Sequence, residues 1–436
     1  MQFIPNILFA IALILGIGFF AKNVKKLIRN IKLGQDVDVS DNKSQRWKNM
    51  TMIALGQSKM VKRPIAGVLH VIVYVGFVII NIEVLEIIID GLFGTHRLFS
   101  KMGTLYGVLI GTFEVLAALV FVSVVIFWVR RNVIKLQRFW KSEMKGWPKN
   151  DGNFILYFEM VLMTLFLVMN ATDVHFQDMN SGNVISQYIA PLFNGLPEST
   201  LHIIERSAWW LHILGILVFL NYLYYSKHLH ILLAFPNTFY GKVNPKGQLN
   251  NLEAVTNEVK MMMDPNADPF AAPEEGAEDE VPAKFGASDV QDLNWVQLLN
   301  AYTCTECGRC TSECPANQTG KKLSPRKIMM DTRDRLEEVG KNIDANGGEF
   351  KDDGKQLLGD YISTEELWAC TTCNACTEAC PVSIDPLSII IEMRRYLVME
   401  QSAAPMELNN MMTNIENNGA PWPYNQMDSL NWANEE

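Results

Sequence analysis

The sequence predicts an all-α membrane bundle joined to a mainly α-helical, cysteine-bearing soluble domain. Hydrophobic residues make up 49% of the 436 residues and charged residues only 19%, below the usual quarter in soluble domains. Apolar runs crowd the first 240 residues, whereas all eight cysteines lie between positions 304 and 380. This division and a net charge of −9 exclude a disulfide-stapled secreted domain, a disordered chain and a nucleic-acid binder.

Five apolar segments are long enough to cross a lipid bilayer, which needs roughly 20 apolar residues in a helix. Buried helices of one soluble domain are the alternative, but five such runs exceed what a single soluble domain uses. The first segment lacks a basic start and a small-x-small cleavage site, so we do not expect a cleaved signal peptide. The predicted transmembrane helices are 4–21, 65–89, 105–129, 154–171 and 208–234.

Lysine and arginine are distributed unevenly among the loops. Residues 22–63 carry 11 of them and residues 130–149 carry seven, whereas 172–205 carry none. The positive-inside rule therefore predicts an external N-terminus and a cytoplasmic C-terminus, in the inner (cell) membrane of a bacterium.

Four regions follow from the changes in composition. Residues 1–240 form the predicted membrane domain, and 241–290 a linker whose acidic run at 273–280 has too few apolar groups to fold alone. Residues 291–400 form the cysteine-bearing domain. The tail, 401–436, is rich in Asn, Met and Glu, and is expected either to pack on a partner or to be disordered.

Two runs hold every cysteine, and both have the spacing C-x2-C-x2-C-x3-C-P. This is the spacing of a bacterial two-[4Fe-4S] ferredoxin, in which three thiolates bind one cluster and the fourth binds the other. The predicted ligands are Cys304, Cys307, Cys310 and Cys380 for cluster I, and Cys370, Cys373, Cys376 and Cys314 for cluster II.

Zinc is the main alternative, because C-x2-C pairs also occur in zinc ribbons. Zinc needs four ligands per site and has no use for a third C-x2-C step or the final Cys-Pro. A disulfide framework is disfavoured in reducing cytoplasm.

Helices are predicted to flank each run, with N-caps at Ser363, Ser324 and Asp385. Nearby basic residues either offset cluster charge, meet a partner or lie on solvated faces: Arg326, Lys327, Arg394 and Arg395.

With these motifs, residues 290–400 resemble the C-type iron–sulfur subunits of heterodisulfide reductases and their relatives in anaerobic glycerol-3-phosphate dehydrogenase. The segments Ser324-Pro-Arg-Lys and Asp385-Pro-Leu-Ser-Ile-Ile-Ile-Glu-Met-Arg-Arg also fit. The catalytic subunit of that family has cysteine-rich CCG repeats, and this chain has none. The resemblance therefore implies an electron carrier whose catalytic partner, of CCG type or a flavoprotein, is a separate cytoplasmic chain.

Three of the seven histidines form a candidate haem site. His212 and His230 are 18 residues apart, which is five whole turns, so on one straight helix they would share a face about 27 Å apart. His70 lies near the cytoplasmic end of the second helix, level with His230, and two such imidazoles can bind a b-type haem. His228 is the weaker candidate. Histidines that merely hydrogen-bond between helices are the alternative.

Residues 212–230 resemble the last helix of the nitrate reductase gamma subunit family, a five-helix dihaem cytochrome b. The resemblance implies His70, His230 and His212 as haem ligands. It also departs from the family, because Ile80 replaces the second histidine of the second helix. One haem b is therefore expected. A second, on His212, would need another ligand, with His175 or His96 as candidates.

Together these features predict a membrane-bound electron-transfer subunit that works between menaquinone or another quinone, haem b and two [4Fe-4S] clusters. Glu83, Glu86 and Asp90 share one face of the second helix and either carry protons for the quinone or form a wetted helix end. Without a glycine-rich phosphate loop, flavin or nicotinamide is expected on another chain. The alternative function is a membrane-anchored iron–sulfur redox sensor without turnover.

Overall fold

The computed structural model describes residues 3–264 and 284–434. These residues form helices and connecting loops, and no strands occur among them beyond two isolated bridges. The α-helices of the first range are α1 (Ile4–Ile31), α2 (Lys43–Asn49), α3 (Pro64–Phe93), α4 (Thr104–Asn132), α5 (Trp147–Thr172), α6 (Val174–Asp178), α7 (Ser186–Ile189), α8 (Glu198–Tyr222), α9 (His230–Tyr240) and α10 (Glu253–Met263).

The second range contains a series of shorter helices around the two cysteine runs. Both runs lie between or at the ends of these helices, in loops that position the thiols. The helices are α11 (Trp295–Thr303), α12 (Arg309–Glu313), α13 (Pro315–Gln318), α14 (Pro325–Ala345), α15 (Thr364–Trp368), α16 (Ala375–Ala379), α17 (Pro386–Arg395) and α18 (Met406–Asn418).

Five helices, α1, α3, α4, α5 and α8, are long and apolar enough to cross a membrane, which agrees with the predicted number. The first four extend beyond their predicted apolar cores into polar flanks, and α1 continues ten residues past position 21. In the bundle, α5 packs on α4 and α8, α3 packs on α4, and α1 packs on α3 and α8. Large apolar side chains fill the centre: Phe9, Tyr106, Phe113 and Phe166.

The predicted fifth span, 208–234, is wrong at both ends. The helix begins at Glu198 and ends at Tyr222, and a new helix begins at His230. The break follows from local hydrogen bonds: the backbone of Ser226 is extended, its hydroxyl accepts from the His228 amide, and Asp151 binds both Ser226 and Tyr222. His212 and His230 therefore lie on different helices, so the argument from five whole turns does not hold.

The cysteine-bearing domain packs directly against one end of the bundle, here called the basic end. This end comprises residues 32–63 and 133–146, which lie in the two lysine- and arginine-rich segments. Leu27 and Leu223 of the membrane half belong to the same apolar core as Leu298 and Ile328. The opposite end, called the far end, carries the α3–α4 connection and residues 173–197. The two halves thus form one continuous structure.

The linker and the tail contain helices that composition did not predict, α10 and α18. The acidic run 273–280, expected to be unfolded, lies outside the described residues. In the tail, α18 has no buried residue and leaves Met406 and Ile415 exposed.

Candidate functional site

The two cysteine runs have the same local backbone. Glu306 and Gly308 in the first run have positive φ angles, and so do Thr372 and Asn374 at the matching positions of the second. These left-handed residues form tight turns between successive cysteines, for which Gly and Asn are well suited. The predicted N-caps are confirmed, since the side chains of Ser324, Ser363 and Asp385 accept backbone hydrogen bonds.

All eight cysteines are free thiols, so the structure contains no disulfide among them. Four thiolates on one zinc ion, at about 2.3 Å from the metal, would lie roughly 3.8 Å apart. In the described ranges, which include every cysteine, no three cysteine sulfurs lie within 4.8 Å of one another. In a cubane cluster, each thiolate would bind a different iron atom, so the sulfurs would lie farther apart than around one zinc ion.

Burial controls the ionisation of these thiols. It raises the pKa of Cys304 and of Cys376 to about 12. Burial, and after it the charge of Cys307, raises the pKa of Cys380 to about 11. A thiolate in such a setting needs a cation beside it, and cluster iron supplies that charge.

Thiols of the two cysteine runs lie near enough to affect one another's ionisation. Besides burial, the charge of Cys307 in the first run raises the pKa of Cys380, the last cysteine of the second run. Cys314, the last cysteine of the first run, is among the groups that raise the pKa of the largely buried Cys370. Helices α12 and α16, one from each run, pack together. The ligand assignment itself stays a prediction.

Two of the basic residues near the runs have structural roles. Arg326 is fully buried, and its guanidinium donates to the Arg138 carbonyl and to Glu143 of the membrane half, at 2.6 Å each. Arg394 donates to the carbonyls of Leu367 and Cys370. The solvated-face alternative is therefore wrong for Arg326, whereas Arg394 is partly exposed.

His70 of α3 and His230 of α9 lie side by side at the basic end. Their ring centroids are 6.4 Å apart, and the rings are inclined by 42°. The Nδ1 atom of His230 lies 3.1 Å from the Lys227 carbonyl oxygen, whereas Nδ1 of His70 is buried without a hydrogen-bond partner. The sequence therefore identified two residues that the fold brings together, although the helix carrying His230 was predicted incorrectly.

The remaining histidines are arranged differently from the expectation. His212 is buried in α8, where its Nδ1 lies 3.0 Å from the Leu162 carbonyl and its ring packs on Phe166. This is the contact of a histidine that hydrogen-bonds between helices. His96 and His175 lie near each other at the far end, with ring centroids 6.2 Å apart. His228 packs between Phe219 and His230.

Glu83 and Glu86 of α3 are buried, so they do not form a wetted helix end. Glu86 accepts from the Phe99 amide at 2.7 Å, and one oxygen of Glu83 has no partner. Asp90, at the far end, accepts from the Arg97 amide at 2.7 Å. The three residues form a line along α3, whose role in proton transfer stays a prediction.

Two contacts that sequence reasoning missed connect the cysteine loops to the histidine pair. Glu306, between Cys304 and Cys307, forms a buried ion pair with Lys227. Arg309 donates to the carbonyls of Lys59 and Met60, just before α3, at 3.2 Å each. In the sequence, Glu306 and Arg309 are simply charged residues within the first cysteine run. Their positions do not show which distant residues they contact.

Comparisons with known proteins identify the cysteine-bearing domain and relatives of the whole chain. Residues 303–384 match the 4Fe-4S dicluster domain family. The chain is 29% identical to the probable iron-sulfur-binding oxidoreductase FadF of Bacillus subtilis over 98% of its length and 61% of the relative. It is 24% identical to the EtfAB:quinone oxidoreductase of Syntrophomonas wolfei, over 92% of the chain and 55% of that protein.

A further relative matches the cysteine-bearing domain alone. This is the C-type subunit of the ferredoxin/F(420)H(2)-dependent CoB-CoM heterodisulfide reductase of Methanosarcina acetivorans, 36% identical over 24% of the chain and 52% of that protein. The chain spans about 60% of the length of the longer relatives. No solved structure matches the chain at a significant level.

These relatives are oxidoreductases or subunits of oxidoreductase complexes. The chain thus combines five candidate membrane helices with a 4Fe-4S dicluster domain.

Proposed function

We propose that this chain is the electron-transfer subunit of a quinone-linked membrane complex. It would pass electrons between the quinone pool, one haem b and two [4Fe-4S] clusters, to or from a cytoplasmic catalytic partner. The observation that carries the proposal is the His70–His230 pair, which lies at the same end of the bundle as the dicluster domain.

The spacing of the two imidazoles fits a shared metal. Rings bound on opposite sides of one metal, through bonds of about 2.0 Å, have their centres roughly 6 Å apart, and the observed separation is 6.4 Å. His70 also has a buried ring nitrogen without a partner, which a metal would satisfy. Both residues therefore fit axial ligation of a haem b, which when bound would accept and donate single electrons.

Residues around the pair hold the ligands in place. The Lys227 carbonyl accepts from Nδ1 of His230, which fixes the ring orientation and leaves Nε2 for a metal. Lys227 itself is held by Glu306 in the loop of the first cysteine run. Arg309 clamps the backbone before α3, the helix that carries His70. The cysteine loop and the imidazole pair are thus joined by buried polar contacts.

The proposed substrate and partner rest on the relatives and on charge. One relative is named an EtfAB:quinone oxidoreductase, and others are heterodisulfide reductase subunits. We therefore propose menaquinone or a similar quinone in the membrane, and a CCG-type protein or a flavoprotein as the soluble partner. Because the dicluster domain packs on the basic end, the positive-inside rule supports clusters that face the cytoplasm.

Rapid mixing tests this function. The full chain, purified with its clusters, is mixed with a reduced menaquinone analogue while haem absorbance and cluster EPR are followed. Reduction of haem and then of clusters within the turnover time of a respiratory enzyme is expected. Slow, oxygen-dependent loss of clusters without reduction by quinol would contradict the carrier and favour the redox sensor.

A further inference from the structure

A cavity of about 710 Å³ opens at the far end of the bundle, away from the dicluster domain. Phe9, Trp209 and Trp210 form its apolar wall. The lining also includes histidines and carboxylates, among them His96, His175, His202, Asp173 and Glu205. The proposed electron-transfer function uses none of these polar groups.

Three of them converge on one point from three parts of the chain. His96 follows α3, Asp173 follows α5, and Glu205 belongs to α8. One potential ligand atom from each lies within 4.8 Å of the other two. The Nε2 atom of His96 is 3.2 Å from Oδ2 of Asp173, and two ligands of a tetrahedral zinc ion at about 2.0 Å lie roughly 3.3 Å apart.

The two carboxylates are held in place by arginines. Arg97 donates to Oδ2 of Asp173 at 2.7 Å, and Arg206 binds both oxygens of Glu205. Asp173 also caps α6 by accepting from the Phe176 amide at 3.1 Å. A carboxylate has about four lone-pair positions, so these bonds leave room for a metal. Such outer hydrogen bonds are what orient metal ligands.

Charge and access also favour a cation. Asp90 lines the same cavity, so the carboxylates Asp90, Asp173 and Glu205 outnumber the two arginines that bind Asp173 and Glu205. Asp173 and Glu205 are buried at the base, whereas His96 is exposed. An ion from solution could therefore reach the imidazole first and then the carboxylates.

We propose that His96, Asp173 and Glu205 bind a divalent transition-metal ion of the zinc class. Mixed imidazole and carboxylate donors suit zinc, cobalt and nickel. His202, whose Nδ1 lies 3.9 Å from Oε2 of Glu205, is placed to supply a fourth ligand. Bound there, the ion would tie together the ends of α3 and α5 and the side of α8. This site is independent of the haem and of the clusters.

Equilibrium dialysis of zinc against the full, cluster-containing chain in detergent tests the proposal. The wild type should bind one zinc ion that a chelator removes, with a rise in Tm from mass action. His96→Ala and Glu205→Gln should weaken zinc binding at least about tenfold. Glu198→Gln, in the same cavity but outside the ligand group, is the matched control and should bind zinc normally.

Iron content and the haem spectrum are measured on every sample, so that zinc replacing cluster iron is recognised. Unchanged zinc affinity in His96→Ala would overturn the proposal, as would a wild type that binds no zinc while its clusters are intact. Loss of haem in His96→Ala with zinc binding retained would also overturn it, because the His96–His175 pair would then be a haem site.

Discussion

Glu306 and Lys227 form a buried ion pair at the boundary between the membrane bundle and the dicluster domain. Glu306 lies in the loop of the first cysteine run, and the carbonyl of Lys227 accepts from the ring of His230. Arg333 binds the second oxygen of Glu306 at 2.8 Å, and Asp151 lies 3.7 Å from Lys227. A single lysine thus couples the position of a cysteine loop to that of an imidazole.

Replacing Glu306 by Gln should leave the buried Lys227 and Arg333 without their shared partner. Removing one member of a buried pair typically costs about 3 to 5 kcal/mol, and the lower end is expected because Asp151 remains near Lys227. Thermal unfolding in detergent should show a clear fall in Tm, together with a change in the haem spectrum.

Glu313→Gln is the control, since its partner Arg63 is partly exposed and the pair is worth about 1 kcal/mol or less. Equal shifts in both variants would show that the buried pair has no special role.

Cys314→Ser tests the crossed assignment of cluster ligands. The serine should perturb the cluster bound by Cys370, Cys373 and Cys376, because in this spacing the fourth cysteine of one run binds the cluster of the other. The wild type should contain about eight iron atoms in two cubane clusters. EPR of the variant should therefore change in the signal of cluster II. A loss confined to the cluster of the first run would refute the crossing.

His70→Ala and His230→Ala should each remove the same low-spin haem b. Either change leaves the metal with one imidazole and should also block reduction of the clusters by quinol. His228→Ala is the matched control, because its ring packs on Phe219 and it should leave the spectrum largely intact. Haem content per chain and the reduced-minus-oxidised spectrum are the measurements. Full haem content in His70→Ala would show that the pairing is wrong.

His212→Ala distinguishes one haem from two. The Nδ1 atom of His212 already lies 3.0 Å from a backbone carbonyl, and its ring packs on Phe166. With one haem held by His70 and His230, we expect the variant to keep its full haem content and to lose only some thermal stability. A fall to about half the haem per chain would instead reveal a second site.

Reporter fusions test the orientation. A reporter fused after Glu436, or inserted near Asp41, should be read as cytoplasmic, and one inserted near Asn183 as external. An external reading at the C-terminus would place the dicluster domain on the wrong side of the membrane for a cytoplasmic partner.

The sequence predicted the elements whose physical signal is local. Five apolar runs, two cysteine runs and the N-caps at Ser324, Ser363 and Asp385 depend on composition or short spacing, and the structure contains all of them. The pairing of His70 with His230 was also predicted. That prediction used the matching depth of the two residues in the membrane, although it assigned His230 to the wrong helix.

What the sequence could not predict depends on partners distant along the chain. The break after Tyr222 arises because Asp151, on another helix, binds the Ser226 hydroxyl at 2.7 Å. Hydropathy falls at the polar run Ser226-Lys-His, but that fall does not by itself tell a helix break from a polar helix end. The role of Arg326 likewise stayed open among three alternatives, because its partner Glu143 is 183 positions away.

The joint between the two halves has a consequence for kinetics. Gly340 of α14 lies so close to Asn30 of α1 that an added Cβ would meet its amide nitrogen at 2.5 Å, and Asp344 pairs with Lys26 and Arg29 nearby. An iron–sulfur domain held this tightly has no freedom to swing between a donor and an acceptor. Electron exchange with the membrane half should then depend on fixed distances and driving force. We expect its rate to be insensitive to the viscosity of the medium, unlike that of a carrier that must diffuse.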